Sequence, residues 1–395
     1  MESHEAPDTP KETSARTGRR VGVILTVVVA SGLAGVVSWW LGLGSYFAQR
    51  HSYDGKTATF AGASDSLHQT VIVPTLDTPC PPGKNVIWCS SFQLAWNEIR
   101  DKVIGAPLQV VGAEEVAARL NAAKQSSSDL EPGTFYVAGG RVKDGVIDRI
   151  KEDMAAKFPS HPLPNLAQYA REPDGILAYS YLTARVPFRH PFRQAQVEFG
   201  GSWGAKTEVE AFGVWGYVGY DDIRDQVEVL YCRPDEEKRS QVKECALDLC
   251  KDSQPYQVVV AIVEPKGSLD QTLEYVRQGI AAFPKSFGLM SDRQLSRVDC
   301  LKVPEMFWKI DHRFQEFVGK VVGNVGLPIT EARQTIEFRL DRCGAVLDSE
   351  ARVAVAALPR YFIFDRPFLV YLQKRGAEQP FFVMWVDNAE LLTRR

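Results

Sequence analysis

The sequence has little of what usually announces a chemical function. Seven cysteines in 395 residues are too few for a disulfide scaffold, and the odd number leaves at least one thiol unpaired or bridging chains. There is no surplus of positive charge: 46 Lys and Arg stand against 49 Asp and Glu. No helix gathers basic side chains on one face, which argues against nucleic acid and against a glycosaminoglycan as partner. The six histidines, at positions 4, 51, 68, 161, 190 and 312, never fall at H-x-x-x-H spacing, so no helical metal pair exists. Neither a Walker loop nor a G-x-G-x-x-G after a strand occurs, which removes the common nucleotide cradles.

Two fragments imitate a site. Gly200-Gly201-Ser202-Trp203-Gly204 fits the G-x-S-x-G elbow of a hydrolase nucleophile, but that elbow needs a helix directly after it. Lys206 to Phe212 alternate instead like a strand, so a glycine-rich turn suits the run better. Cys245 and Cys250 stand five apart with no second pair and no clustered His, half of a zinc site at most; a local disulfide and two plain thiols both stay open. No set of nucleophile, base or metal ligands emerges. The chain is not expected to be an enzyme, to hold a cofactor or to bind a small-molecule ligand.

What is present begins with 23 uncharged residues, Val21 to Leu43, enough to cross about 30 Å of hydrocarbon as a helix. Trp39, Trp40 and Tyr46 suit the membrane interface, and the run is longer than the apolar core of a cleaved signal peptide. Arg16, Arg19 and Arg20 precede it, whereas only Arg50 and Lys56 follow closely, so the N-terminus is expected in the cytoplasm and the rest of the chain outside. Residues 1–20, rich in Glu, Thr, Ser and Pro, read as a disordered cytoplasmic tail, and residues 44–84 as a linker or stalk with one short strand at Thr70 to Val73.

The full chain is 45% hydrophobic and 24% charged, and its residues 85–395 are long enough to bury a full core. Helical spacing of apolar residues covers Asn85 to Ile104, Ala113 to Lys124 and Val142 to Phe158. After Gly175 the pattern turns to strands: ILAYSYLTARV, TEVEAFGVWGYV, QVEVLY and YQVVVAIVEP, each bounded by Pro, Gly or Asp. Ser268 to Phe283 is an amphipathic helix, a further helix is expected around Arg313 to Val322, and four strand-like runs lie between Gln334 and Val386. Helices first and strands later, without regular alternation, predict an α+β domain with mostly antiparallel sheets.

The C-terminal run FIFDRPFLVYL (Phe362 to Leu372), followed by PFFVMWVDN from Pro380, resembles the signature of the serpin family at a strand pair buried in its central sheet. The resemblance extends backwards. TIEFRLDRCG (Thr335 to Gly344) is similar to the strand and hinge before the serpin reactive loop, RVDCLKVPEMFW to the strand carrying that family's Leu-Pro-Lys-Phe, and YQVVVAIVEPKGSLDQTLEYV to a further strand and helix. LAYSYLTARVPFRHPF and NVIWCSSFQLAW complete a match over residue 85 to the end. It implies a large mixed central sheet, a smaller second sheet and surrounding helices, here preceded by the transmembrane helix.

In serpins the segment after the hinge is a bait: a protease cleaves it and the loop inserts as a new strand into the main sheet. The resemblance therefore implies a serine protease as partner, with Gly344, Ala345 and Leu347 as the hinge. Leu358-Pro359 and Arg360-Tyr361 are the two candidate scissile bonds. Ala345, Leu347, Ser349, Ala351, Val353 and Val355 alternate with Val346, Asp348, Glu350, Arg352 and Ala354, as an inserting strand requires; a permanent half-buried strand would show the same alternation. Leu347 and Asp348 depart from the family's run of small residues, and a bulky Leu slows entry into a packed sheet. The polar residues that gate the sheet in the family are changed too: Cys89 and Phe92 stand for serines, Ser180 for Asn and Gln334 for His, and Phe188 takes the place of a Trp. Two functions are compatible with this pattern, a membrane-tethered inhibitor and a non-inhibitory binding or structural protein on the same scaffold.

Overall fold

The computed structural model describes residues 57–184, 186–202, 204–216, 219–237, 240–284, 293–343 and 359–394. The run at 21–43 and the candidate loop residues Gly344, Ala345, Leu347 and Leu358 lie outside these. Among the described residues no helix is long and apolar enough to cross a membrane.

The unit from residue 58 onward is α+β, as its pattern predicts. Its largest sheet has seven strands: β2 (Thr70–Ile72), β3 (Asn85–Cys89), β19 (Pro380–Val386), β18 (Phe368–Lys374), β11 (Tyr256–Ile262), β10 (Val242–Asp248) and β9 (Glu228–Pro234) in that order. The sheet is mixed, because β2 and β3 run parallel and the other neighbours antiparallel. A four-stranded sheet joins β17 (Tyr361–Ile363), β12 (Cys300–Pro304), β8 (Thr207–Val214) and β7 (Arg193–Phe199). A three-stranded sheet holds β1 (Phe60–Ala63), β13 (Met306–Arg313) and β16 (Arg333–Leu340), and β5 (Phe135–Arg141) pairs with β6 (Ile176–Leu182). Two-residue strands β4 (Val110–Val111), β14 (Val321–Val322) and β15 (Leu327–Pro328) form a small fifth sheet. The α-helices are α1 (Ser90–Glu98), α2 (Glu114–Ala122), α3 (Val146–Lys157), α4 (Asp221–Asp225) and α5 (Leu269–Ala282).

Alternation along the strands divides the core. Val86 and Trp88 of β3 point with Val259, Ala261, Val383 and Trp385 to one face of the seven-stranded sheet, where Leu269, Leu273 and Val276 of α5 cover them. Helix α5 starts where Ser268 accepts the Gln271 N–H at 3.2 Å, the usual device for satisfying a first-turn donor. Ile87, Val258, Val260, Val370, Phe382 and Met384 point the other way, into the main core with Trp308, Ile336, Phe338, Phe212 and Leu301. A third, separate cluster lies between α3 and the β5–β6 pair, built on Tyr136, Ala138, Val146, Ile150 and Met154.

Three local expectations are corrected. Asn85 to Cys89 is a strand rather than the start of a helix, since a strand buried on both faces gives an unbroken apolar run that periodicity cannot separate from a helix. Around Arg313 to Val322 there is no helix. Phe314 and Phe317 imitate helical spacing and are both fully buried, but a turn closed by the Phe317 N–H on Phe314 O (3.1 Å) places them there. Residues 58–84 are not a loose stalk: β1 runs parallel to β13 and β2 parallel to β3, and the Ser64 hydroxyl meets His312 Nδ1 at 2.7 Å. The short strand expected at Thr70 to Val73 is β2 (Thr70–Ile72); β1, at four residues, is too short to stand out from its turn-forming neighbours in sequence.

Candidate functional site

Strand β16 alternates exposed Arg333, Thr335 and Glu337 with buried Gln334, Ile336, Phe338 and Leu340. It pairs along its whole length with β13, which β1 covers on the far edge. Strand β6 pairs along its length with β5, and all seven of its residues are only half-buried. Among the described residues neither β16 nor β6 has a second ladder partner, so each keeps an edge of backbone donors and acceptors without a strand on it.

The two strands are tied instead through side chains at the start of α1. The Gln334 amide Nε2 of β16 donates to Cys89 O at 3.0 Å and to Ser91 Oγ at 2.7 Å. From β6 the Ser180 hydroxyl donates to Ser91 O. Ser91 thus holds a strand on either side. Beside this bridge the buried Ser90 Oγ and Gln334 Oε1 have no hydrogen-bond partner, the kind of deficit a packed protein rarely keeps. Burial raises the Cys89 thiol above its ordinary range, and its Sγ lies 3.7 Å from Ser91 Oγ, so Cys89 joins the bridge as an unreactive thiol. Phe92, by contrast, takes no part in the polar bridge and packs on Phe314 and Phe317, ring centroids 4.2 and 5.9 Å away. Of the four polar positions that the family resemblance marks as altered, Gln334 and Ser180 meet by way of Ser91, which no sequence pattern singles out. Gln334→Ala would leave Cys89 O and Ser91 Oγ without this donor, and a loss of about 1–3 kcal/mol in urea unfolding is expected.

At the upper end of β16 the Phe192 N–H donates to Arg342 O (2.8 Å). Phe188, in the place where the family resemblance has a Trp, is buried and meets Phe192 edge-on at 5.0 Å. Cys343, the last described residue before 344–358, has its thiol pushed up to about 11 by burial.

Beyond 358 the chain is clamped. The Arg360 N–H donates to Asp299 Oδ1 at 2.8 Å, and the guanidinium Nε and Nη2 reach Asp299 Oδ2 at 3.1 and 2.7 Å. Nη2 also donates to Gln294 O at 2.6 Å. The Asp299 side chain has no exposed surface, and Arg224, itself buried, adds positive charge nearby. Tyr361 opens β17, with its N–H on Ser240 O (3.0 Å) and its register fixed opposite Cys300. Arg360 and Tyr361, read from sequence as one candidate scissile pair, are thus anchored into the fold, and Pro359 directly precedes this anchor. Sequence spacing gives no hint of a pair 61 positions apart.

The other two sequence candidates resolve as structure. Gly201 passes so close to the Asp387 carbonyl that a Cβ would lie 2.3 Å from its oxygen, and the Ser202 N–H donates to Asp387 Oδ1 at 2.9 Å. Gly201 and Ser202 are thus held against Asp387 in the connection after β7, and Trp203 lies outside the described residues. Cys245 and Cys250 are separate buried thiols, and among the described residues no group of three or more His, Cys, Asp or Glu could hold a metal ion.

No family model matches the chain, and no curated protein sequence does. Solved structures to which it is similar are serpins. They include human glycosylated kallistatin, at 11% identity and a TM-score of 0.45 over 78% of this chain and 92% of that one. Mouse protein-Z dependent protease inhibitor matches at 11% and 0.43 over 77% and 91%, and protease nexin-1 with heparin at 9% and 0.42 over 77% and 92%. These likenesses lie below a TM-score of 0.5, so what the chain does has to be read from its own geometry.

Proposed function

We propose that the chain is a membrane-tethered, serpin-like inhibitor of a serine protease, in which residues 344–358 are the bait and the interval between β16 and β6 is where the cleaved bait inserts. One observation carries this reading: two strands, each without a second ladder partner among the described residues, are linked by the Gln334–Ser91–Ser180 side-chain bridge. A bridge of neutral hydrogen bonds, each of about 1 kcal/mol, opens far more cheaply than a continuous ladder. The chemistry of the bait matches the interval. Ala345, Leu347, Ala351, Val353 and Val355 would continue the inner face of Ile336 and Phe338, while Asp348, Glu350 and Arg352 would join Arg333 and Glu337 outside. Fifteen residues can span about 50 Å, ample for the edge of an eight-residue strand, about 27 Å.

Because Arg360 is locked onto Asp299, the scissile bond in this reading lies before Pro359, with Leu358 as the last candidate on its N-terminal side. Residues 21–43 provide the membrane helix, placing the inhibitor outside the cytoplasm with residues 1–20 inside. Incubation of the full chain in detergent with trypsin-, chymotrypsin- and elastase-type proteases tests the reading. A complex that survives boiling in detergent, with protease acylated by a residue between 344 and 358, is the expected result. Ordinary cleavage by every protease without such a complex would favour instead the binding or structural protein.

A further inference from the structure

Two cysteines that this function leaves unused face each other across a strand pair. In the antiparallel pairing of β9 with β10, Cys232 stands directly opposite Cys245. Both flanking pairs confirm the register. On one side Arg233, opposite Glu244, forms an ion pair at 2.9 Å, and Tyr275 of α5 reaches both residues. On the other side Tyr231 and Ala246 stand opposite each other and share the core under α5. Side chains alternate along a strand, so Cys232 and Cys245 project together from the opposite face. There Cys245 is fully buried in the main core, and Cys232, half-buried, packs against the same cluster. No other two cysteines are register partners among the described residues.

Directly opposed residues of an antiparallel pair have Cα atoms about 4.5–5.5 Å apart, inside the disulfide range of about 4.4–6.8 Å. Their Cβ atoms, about 4.5–5.5 Å apart, need to close by at most about an ångström to reach the bonded separation. We propose that Cys232 and Cys245 are the site of a reversible cross-strand disulfide, formed by exchange with a small-molecule disulfide such as glutathione disulfide. The more accessible Cys232, on the edge strand of the seven-stranded sheet, attacks first: its thiolate forms a mixed disulfide and releases one glutathione thiolate. Cys245 then loses its proton to solvent and attacks the Cys232 sulfur, releasing the second. Two protein thiols are oxidised while one glutathione disulfide is reduced to two thiols. Burial raises the Cys245 thiol far above its ordinary range, which makes the second step slow at neutral pH. The bond would brace the hairpin that receives the Tyr361 N–H at Ser240 and the Arg366 guanidinium at Val242 O, next to the clamped end of the candidate bait.

The test equilibrates the full chain with graded mixtures of reduced and oxidised glutathione at pH 8, quenches in acid, alkylates and digests. The expected product is one linked peptide pair joining Cys232 to Cys245, reversed by dithiothreitol, with the other five cysteines alkylated. Cys232→Ser and Cys245→Ser should each abolish it. The proposal is overturned if Cys232 ends only as a glutathione adduct while Cys245 stays alkylatable, or if both stay alkylatable at every ratio. The wild-type peptide map decides the matter even should one variant fail to fold.

Discussion

Cleavage of the full chain between residues 344 and 358 is expected to raise its unfolding midpoint by about 5–10 °C. A strand entering between β16 and β6 would cover two edges that have no ladder partner. Its new ladder bonds, at about 1 kcal/mol each, broadly offset the cost of ordering its backbone, about 1–2 kcal/mol per residue. The surplus comes from side chains: Leu347, Val353 and Val355 would pass into the core beside Ile336 and Phe338, at about 1.5–3 kcal/mol each. A net gain on the order of 5 kcal/mol, at about 1.5 °C per kcal/mol for a unit of this length, gives the stated shift. Calorimetry of intact and cleaved chain reads it directly, and a midpoint that stays or falls on cleavage would argue for an inert scaffold.

The second large effect is at the clamp. Asp299→Ala is expected to lower stability by about 3–5 kcal/mol, because it leaves the Ser296 and Arg360 N–H groups without their acceptor and the buried Arg224 without one of its nearby counter-charges. The Asp299 carboxylate accepts from the Ser296 N–H (2.8 Å) and the Arg360 N–H (2.8 Å) as well as from the Arg360 guanidinium, and Arg224 beside it has a buried Nη1 with no partner. Arg360→Ala should cost less, because the Arg360 side chain keeps 24% of its surface in water and Arg224 still faces the carboxylate. In urea unfolding the double variant should lose less than the sum of the two, the signature of a shared interaction. Additive losses would show that the two side chains act independently.

The parts of this structure that were legible in sequence are those whose burial pattern is long and regular. FIFDRPFLVYL and PFFVMWVDN became β17, β18 and β19, and the last two are buried almost throughout. Ser268 to Phe283 became α5 within a residue at each end. The strand Asn85 to Cys89 reads as a helix because it is buried on both faces; β2 is legible as the short strand at Thr70 to Val73, whereas β1 is hidden among turn residues because a parallel partner 248 positions away, not local pattern, holds it. The candidate site divides along the same line. Gln334 and Ser180 could be marked as altered polar positions, but their common partner Ser91 is decided by tertiary approach. Arg360 looked like a bait residue because an exposed loop Arg and an anchoring Arg read alike until Asp299 is seen beneath it. That Cys232 stands opposite Cys245 is not legible in sequence, since strand register is absent from single-sequence spacing.

The most direct test of the account is amide hydrogen exchange of Arg333–Leu340 and Ile176–Leu182 in the full chain before and after cleavage within 344–358. The account predicts that amides on the edges of β16 and β6 without ladder partners exchange readily in the intact chain and become protected in both strands together once the bait is cut. Equal protection before and after, or full protection of both strands in the intact chain, would contradict an interval that opens to admit a strand.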